Sequence, residues 1–129
     1  MKIILNKKQL EKIIEKHYAE ELDFQGKATI NAYDHDDYRG GYTEVEATLK
    51  GKLRMDGEEL VAKYELNETE IKEVLKRYFE KAGYKYVTAF MTSKTQHYDA
   101  FERDEGILTF DNVEVEVKEK VKEKVVKIE

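Results

Sequence analysis

One hairpin decides the fold of this chain, and it reads VEATLKGKLRMDGEELVAKYEL, residues 45–66. Apolar and polar residues alternate on both sides of Asp56-Gly57, a dipeptide typical of a two-residue type I′ turn. A turn closed there places four pairs opposite each other: Leu53 with Leu60, Gly51 with Ala62, Leu49 with Tyr64, and Ala47 with Leu66. All eight residues then share one face, whereas a slip of one residue would turn the second set toward water. Turn and pattern therefore predict the same register, which also sets Arg54 against Glu59 on the other face.

Helices are predicted before and after the strands. Each begins with a residue pair that fits a capping box, and the pairs are Asn6 with Gln9 and Asn67 with Glu70. Apolar residues then recur at three- and four-residue spacing to about Leu22 in the first helix and to Ala82 in the second, where Gly83 occupies the C′ position. Residues 28–33 alternate with period two, so they predict one more strand before the hairpin.

The last third of the chain is predicted to add two or three strands. Residues 84–91 are apolar on both faces, as expected of an interior strand, and residues 92–105 look like a polar connection without period. The alternation of residues 107–117 changes phase at Asp111-Asn112, which is either a tight turn or the site of a bulge in one long strand. Residues 118–129 fit a helical or an extended tail equally well.

Together these elements predict a single α+β domain over residues 1–129. Its order is a helix, a three-stranded antiparallel meander, a helix, and two or three further strands, ending in either a helix or an extended segment. We expect one antiparallel sheet with the helices packed on one face.

Composition excludes several classes of protein. The 129 residues contain no Cys, which excludes disulfide scaffolds, thiolate metal sites and thiol nucleophiles. The 28 acidic and 23 basic residues leave a net charge of −5, a mixed surface that disfavours non-specific nucleic-acid binding. Residues 23–66 carry ten acids and six bases, so the acidic excess belongs to the first strands. No signal peptide or membrane span is recognisable, and we expect a cytoplasmic protein.

The segment YDHDDYRGGY, residues 33–42, is the first candidate for a binding site, because it joins two predicted strands as an exposed hairpin end. Tyrosine and arginine are the residue types that most often anchor protein interfaces. The predicted partner-binding residues are Asp36, Asp37, Tyr38, Arg39 and Tyr42 in this segment, with Glu44 and Glu46 on the wet face of the next strand. Tyr33 and Tyr42 fit equally an interface and a cross-strand pair that braces the hairpin. Four tyrosines are expected in the core instead: Tyr64, Tyr78, Tyr84 and Tyr86.

A metal site is a second interpretation of the same segment, less strongly indicated than protein binding. His35 and Asp36, joined by the distant His97, have suitable ligand chemistry for a metal-dependent hydrolase. The calcium-loop spacing fails, because Arg39 stands where such a loop needs Gly and Val45 where it needs Glu. No nucleophile motif surrounds the single serine, so an enzyme is the minority interpretation and no cofactor is predicted. His17, on or beside the apolar face of the first helix, is expected to pack rather than to react.

The order helix, three strands, helix resembles double-stranded RNA-binding domains in topology alone. Those domains carry a Gly-Pro-x-His loop and a lysine cluster at the start of the second helix, whereas this chain has acidic residues in 34–37 and 67–70. Negative charge at both places opposes phosphate binding. RNA duplex binding is therefore rejected unless a separate basic surface exists.

The opening MKIILNKKQL, residues 1–10, and the VEVEV of residues 113–117 resemble small uncharacterised proteins of phages and prophages of Gram-positive bacteria. That resemblance implies accessory proteins that bind and redirect a host protein, including inhibitors of defence systems such as CRISPR nucleases. The implied partner is a basic nucleic-acid-binding protein rather than nucleic acid or a membrane, and its host cytoplasm is the expected location. Two alternatives stay open: the small hydrolase, and a structural unit that self-assembles through a strand edge or the apolar stripe of Val117, Val121 and Val125. The predicted state is a monomer or a homodimer.

Overall fold

A computed structural model describes residues 1–35, 42–100 and 103–120. In these residues the chain forms two helices, two antiparallel sheets of three strands each, and a short two-stranded sheet. The elements are β1 Lys2–Asn6, α1 Lys7–Leu22, β2 Phe24–His35, β3 Tyr42–Met55, β4 Glu58–Leu66, α2 Glu68–Lys81, β5 Tyr84–Lys85, β6 Thr88–Ala100, β7 Arg103–Glu116 and β8 Glu119–Lys120. The α+β class predicted from sequence is confirmed.

The first sheet has the order β2-β3-β4 and contains the predicted hairpin. All four predicted pairs and the pair Arg54 with Glu59 are present, so the register is confirmed. Asp56 and Gly57 both have positive φ, at 51° and 78°, as a type I′ turn requires. The inner face of the hairpin is only partly covered near this turn, where Leu60 and Met55 stay about half exposed.

Both predicted capping boxes are present. The Asn6 side chain accepts a hydrogen bond from the Gln9 amide at 2.9 Å, and the Gln9 side chain accepts one from the Asn6 amide at 2.9 Å. Asn67 and Glu70 repeat the arrangement at 2.8 and 3.3 Å. Gly83 follows α2 with φ 96°, as predicted. These caps satisfy amides that the first helical turn leaves without partners, which is typically worth about 1 kcal/mol each.

The core lies where the two helices cover the inner face of the first sheet and contact the second. Alternate residues of β2 and β3 point into it, as the two-residue period predicts. Its most completely buried side chains are Leu10, Ile14, Ile30, Val45, Leu49, Leu66, Ile71, Leu75, Val113 and Val115. Each such side chain contributes about 1.5–3 kcal/mol through burial.

The prediction of a single sheet is wrong, because β1, β7 and β6 form a second sheet in that order. β1 was not predicted from the sequence, and its Ile3 and Leu5 pair with Val115 and Val113 of β7. Three consecutive apolar residues are too short a pattern to indicate a strand, and the partner that makes them one lies at the other end of the chain.

Residues 92–105, predicted as a connection, instead continue strand structure within their described part. β6 runs to Ala100, β7 begins at Arg103, and the two strands pair along their length. The register shifts once, because Thr92 lies opposite Asn112 while Ser93 lies opposite Phe110. Asp111 is therefore the extra residue of a bulge, which decides between the two alternatives that the sequence left open.

The prediction of an interior strand over residues 84–91 is wrong as well. β5 ends at Lys85, Tyr86 adopts a left-handed conformation with φ 55°, and β6 starts at Thr88. β6 is the outer strand of its sheet among the described residues, and Phe90 is largely exposed. β8 gives an extended start to the tail, and residues 121–129 lie outside the described residues.

Candidate functional site

The outer face of the first sheet is the surface turned away from the helices, and it carries two of the predicted binding residues, Glu44 and Glu46. Odd-numbered residues of β2 and even-numbered residues of β3 point there, because their neighbours in sequence are buried. We call its end next to residues 36–41 the loop end, formed by Asn31, Tyr33, Glu44 and Glu46.

The loop end brings an aromatic ring and two carboxylates together. In the β2–β3 register Tyr33 lies opposite Glu44 and Asn31 lies opposite Glu46. Tyr33 is 45% exposed, while Glu44 and Glu46 are half-buried. An amphipathic ring beside fixed carboxylates suits contact with a protein partner, since the ring supplies apolar area and a polar tip.

The structure separates the predicted binding residues into two groups. Glu44 and Glu46 are placed on the outer face as expected, whereas Asp36, Asp37, Tyr38 and Arg39 lie outside the described residues. The backbone of Tyr42 pairs with His35, so Tyr42 does not lie directly opposite Tyr33. Tyr42 is instead the diagonal neighbour of Tyr33, a position within reach of an aromatic ring. Its side chain is not among those described, so the cross-strand pair stays a prediction.

The middle of the outer face is basic, which was not predicted from the sequence. Lys27 of β2, Lys50 of β3 and Lys63 of β4 lie directly opposite one another, and we call them the lysine row. All three are exposed, and Lys63 also contacts Glu65 at 3.0 Å. Like charges directly opposite each other destabilise a sheet, so the lysine row lowers the stability of the sheet. Strand pairing alone therefore gives no reason for three lysines at these positions.

The turn end of the outer face completes the charge pattern. Glu59 lies 3.6 Å from Lys52 and 4.0 Å from Arg54, and all three side chains are more than half exposed. The expectation of an acidic outer face holds only at the loop end, because the acidic and basic residues of the strands occupy different parts of it.

The predicted metal ligands are not assembled by the described residues. No group of three or more His, Cys, Asp or Glu side chains suited to a metal occurs in the described parts of the chain. His35 is the last residue of β2. His97 lies in β6, where its backbone pairs with Gly106 of β7. Asp36 and both histidine side chains lie outside what is described, so the metal site stays a prediction.

His17 packs at the seam between α1 and α2, as predicted. Its ring meets that of Tyr18 edge to face, with centroids 5.0 Å apart. Burial lowers the pKa of His17 below its usual value, and nearby Arg77 and Lys81 act in the same direction while Glu21 opposes them.

Tyr86 is an exposed aromatic residue that the sequence placed in the core. It is 66% exposed and borders an open groove of about 620 Å³ with Lys76 and Lys118. Tyr78 and Tyr84 do pack against the core. Tyr64 is partly exposed, but its ring lies 5.0 Å from that of Tyr18. No local pattern identifies Tyr86, because its left-handed backbone conformation is unusual for a bulky residue.

No helix in the described part of the chain combines the length and apolar character needed to cross a membrane. A scan against protein-family models and searches of curated proteins and of solved structures found no match to this chain.

Proposed function

We propose that this chain is a non-enzymatic accessory protein that binds another protein through the loop end of its outer face and the adjoining residues 36–41. One observation carries the proposal: the outer face is divided into an acidic, aromatic end and a basic middle. A protein partner can present both signs of charge to such a face. A nucleic acid presents only negative charge, which the lysine row would attract but the adjoining loop end would repel.

The proposed partner is a basic nucleic-acid-binding protein of a host cell, as the resemblance to phage accessory proteins implies. Its positive surface meets Glu44 and Glu46, while Tyr33 supplies the apolar anchor. The lysine row then fixes orientation, because a partner docked the wrong way round would place positive charge on it. Inhibition of a host defence protein is the biological role that this arrangement serves.

The test compares three forms of the protein as bait in a host-cell lysate. Glu44→Lys/Glu46→Lys reverses the charge of the loop end, and Glu73→Lys/Glu80→Lys makes the same change in net charge on exposed positions of α2. We expect the first variant to lose the captured partner and the control to keep it. With the purified partner, the dissociation constant of the loop-end variant should rise by at least about tenfold. Equal capture by both variants would show that this face is not the binding site.

Two further variants locate the contact within the site. Tyr33→Ala tests the aromatic anchor on the described face. Replacement of Asp36, Asp37, Tyr38 and Arg39 together by Ala tests the loop. An unchanged set of partners with the loop variant would remove the loop from the proposal and leave the strand residues.

The small hydrolase is distinguished by metal content. Elemental analysis of purified protein is compared with that of His35→Ala. Stoichiometric metal that is lost in the variant would replace the binding proposal by a metal-dependent activity.

A further inference from the structure

The two outer strands of the first sheet, β2 and β4, differ in how their outward edges are covered. On β2 the Ala28 amide donates to the Glu15 carboxylate at 2.9 Å, and the Ile30 amide donates to the Glu11 carboxylate at 3.1 Å. Both carboxylates come from α1, so a helix covers this edge. No strand pairs with the other side of β4 among the described residues.

The turn determines which backbone groups of β4 point outward. A two-residue turn makes its flanking residues, Met55 and Glu58, a hydrogen-bonded pair, and such pairs alternate along the hairpin. The N–H and C=O groups that face away from β3 therefore belong to Glu59, Val61, Lys63 and Glu65.

β4 lacks most of the features that protect strand edges. It runs for nine residues without a bulge, and the chain contains no Pro. Val61 is 90% exposed at the centre of the strand. On the inner face near the turn, Leu60 of β4 and Met55 at the end of β3 are 45% and 52% exposed. The charged side chains of Glu59, Lys63 and Glu65 are the one protective feature present, and an uninterrupted edge with an exposed apolar residue between such charges can pair with a strand of complementary charge.

The charges on the edge are complementary to themselves in one register. If two copies pair antiparallel about Val61, then Val61 meets Val61, Glu59 meets Lys63 and Leu60 meets Ala62 of the second copy. Pairing about Ala62 instead opposes Glu59 to Glu65 and Val61 to Lys63, and pairing about Lys63 opposes two lysines. Only the first of these three registers brings opposite charges together and apolar residues together.

We propose that two copies of this chain form a twofold dimer by antiparallel pairing of β4 over Glu58–Tyr64, centred on Val61. The product is a continuous sheet of six strands whose outer ends are the two covered β2 edges, so assembly closes at the dimer. The exposed ion pairs of Glu59 with Lys52 and Arg54, and of Lys63 with Glu65, are weak enough to rearrange. Charge therefore selects the register, while backbone hydrogen bonds and apolar contact supply affinity. The contact is smaller than a standard interface of about 1,600 Å², so the dimer should dissociate on dilution.

Sedimentation of the full chain from micromolar to millimolar concentration tests association, and charge reversal tests register. Glu59→Lys and Lys63→Glu each turn two symmetric attractions into repulsions, so each should weaken the dimer by about tenfold. The double variant Glu59→Lys/Lys63→Glu exchanges the charges and should restore wild-type association. The thermal unfolding of each variant at low concentration controls for changes in the fold.

Cross-linking gives a second readout that does not depend on charge. The chain has no Cys, so Val61→Cys, Ala62→Cys and Lys63→Cys each introduce a single thiol. Only residue 61 lies opposite itself in the proposed register, at a Cα separation of about 5.5 Å that a disulfide spans. Under mild oxidation Val61→Cys should therefore cross-link fastest.

The amide exchange of residues 59, 61 and 63 should also slow as protein concentration rises. A monomer throughout the concentration range would overturn the proposal. Faster cross-linking at residue 62 or 63, or growth into larger oligomers, would overturn it as well. The dimer shares Lys63 with the lysine row but uses none of the loop-end residues. Loss of the dimer in the β4 variants and loss of the partner in Glu44→Lys/Glu46→Lys are therefore separate outcomes, and either proposal can fail without the other.

Discussion

The edges of β2 and β4 belong to the same sheet, yet within residues 1–35, 42–100 and 103–120 only the β2 edge is covered by another element. Glu11 and Glu15 lie one helical turn apart on α1, a separation of about 6 Å. Alternate residues of a strand are about 6.6 Å apart, so two carboxylates at this helical spacing match the outward amides of Ala28 and Ile30. A helix packed beside a strand can thus take the place of a neighbouring strand.

Whether a strand edge is covered depends on which strand a helix packs beside. α1 contacts β2 along much of its length, whereas the contacts of α2 with β3 and β4 are far fewer. The turn half of β4 extends beyond both helices, which leaves Leu60 and Val61 exposed. We therefore expect β2 to depend on side chains of the helix and β4 to depend on its turn.

The largest effect is expected from removing the two carboxylates that cover β2. Glu11→Ala/Glu15→Ala leaves the amides of Ala28 and Ile30 without acceptors, and both residues are buried. The free energy of unfolding should fall by about 2–4 kcal/mol, because each buried donor without a partner costs about 1–3 kcal/mol. Urea denaturation measures the change, and faster exchange of these two amides locates it.

Two controls separate hydrogen bonding from other effects of this change. Glu11→Gln/Glu15→Gln keeps an acceptor oxygen at each position and should lose only about half as much stability, since hydrogen bonds to charged groups are the stronger ones. Glu20→Ala changes an exposed residue of the same helix and should stay within about 0.5 kcal/mol of wild type. If the double alanine variant were as stable as Glu20→Ala, the carboxylates would not hold the edge.

A smaller effect is expected at the turn that positions β4. Gly57 has φ 78°, and a Cβ built there meets no atom within 4 Å. Gly57→Ala therefore costs only the left-handed conformation, which should lower the free energy of unfolding by about 1 kcal/mol. Gly57→Asn is the matched control, because Asn tolerates this conformation and should lose clearly less. Equal losses in both variants would mean that something other than backbone conformation limits substitution, and hydrogen exchange along β4 would show where.

The hairpin and the helix starts could be predicted from sequence because their determinants are local. The turn dipeptide and the alternation of residues 45–66 specify the same register independently, and each capping box spans four residues. The predicted register already placed Lys50 opposite Lys63. Lys27 joins them only through the β2–β3 register, which the alternation of residues 28–33 alone does not specify.

The features that were missed depend on partners distant in sequence. β1 is a strand because β7 lies beside it, and β6 continues past residue 92 because β7 supplies its hydrogen bonds. The bulge at Asp111 could not be distinguished from a turn without knowledge of that pairing. The coverage of β2 by Glu11 and Glu15 depends on how α1 packs, which the apolar pattern of the helix does not specify.

The smallest expected effect concerns the seam that holds α1 in the position from which it covers β2. Burial lowers the pKa of His17 in the folded protein below its usual value of 6.5, so the unfolded chain takes up a proton at this residue more readily. Stability linked to His17 is therefore complete above about pH 6.5 and declines as the pH falls toward the lowered folded pKa. Because the ring is only partly buried and Glu21 opposes the shift, the decline should be smaller than the loss in Gly57→Ala.

Urea denaturation between pH 7.5 and pH 5 of wild type and His17→Gln measures this contribution. The two other histidines, His35 and His97, are present in both proteins, so the difference between the two pH profiles isolates His17. We expect the wild type to lose more stability than the variant as the pH falls. If the packing of His17 and the covered edge of β2 are coupled, the hydrogen-exchange rates of the Ala28 and Ile30 amides should rise with that loss. The exchange rates of the outward amides of β4 should stay unchanged. Identical pH profiles would show that His17 makes no contribution through protonation and that the position of α1 rests on its apolar contacts alone.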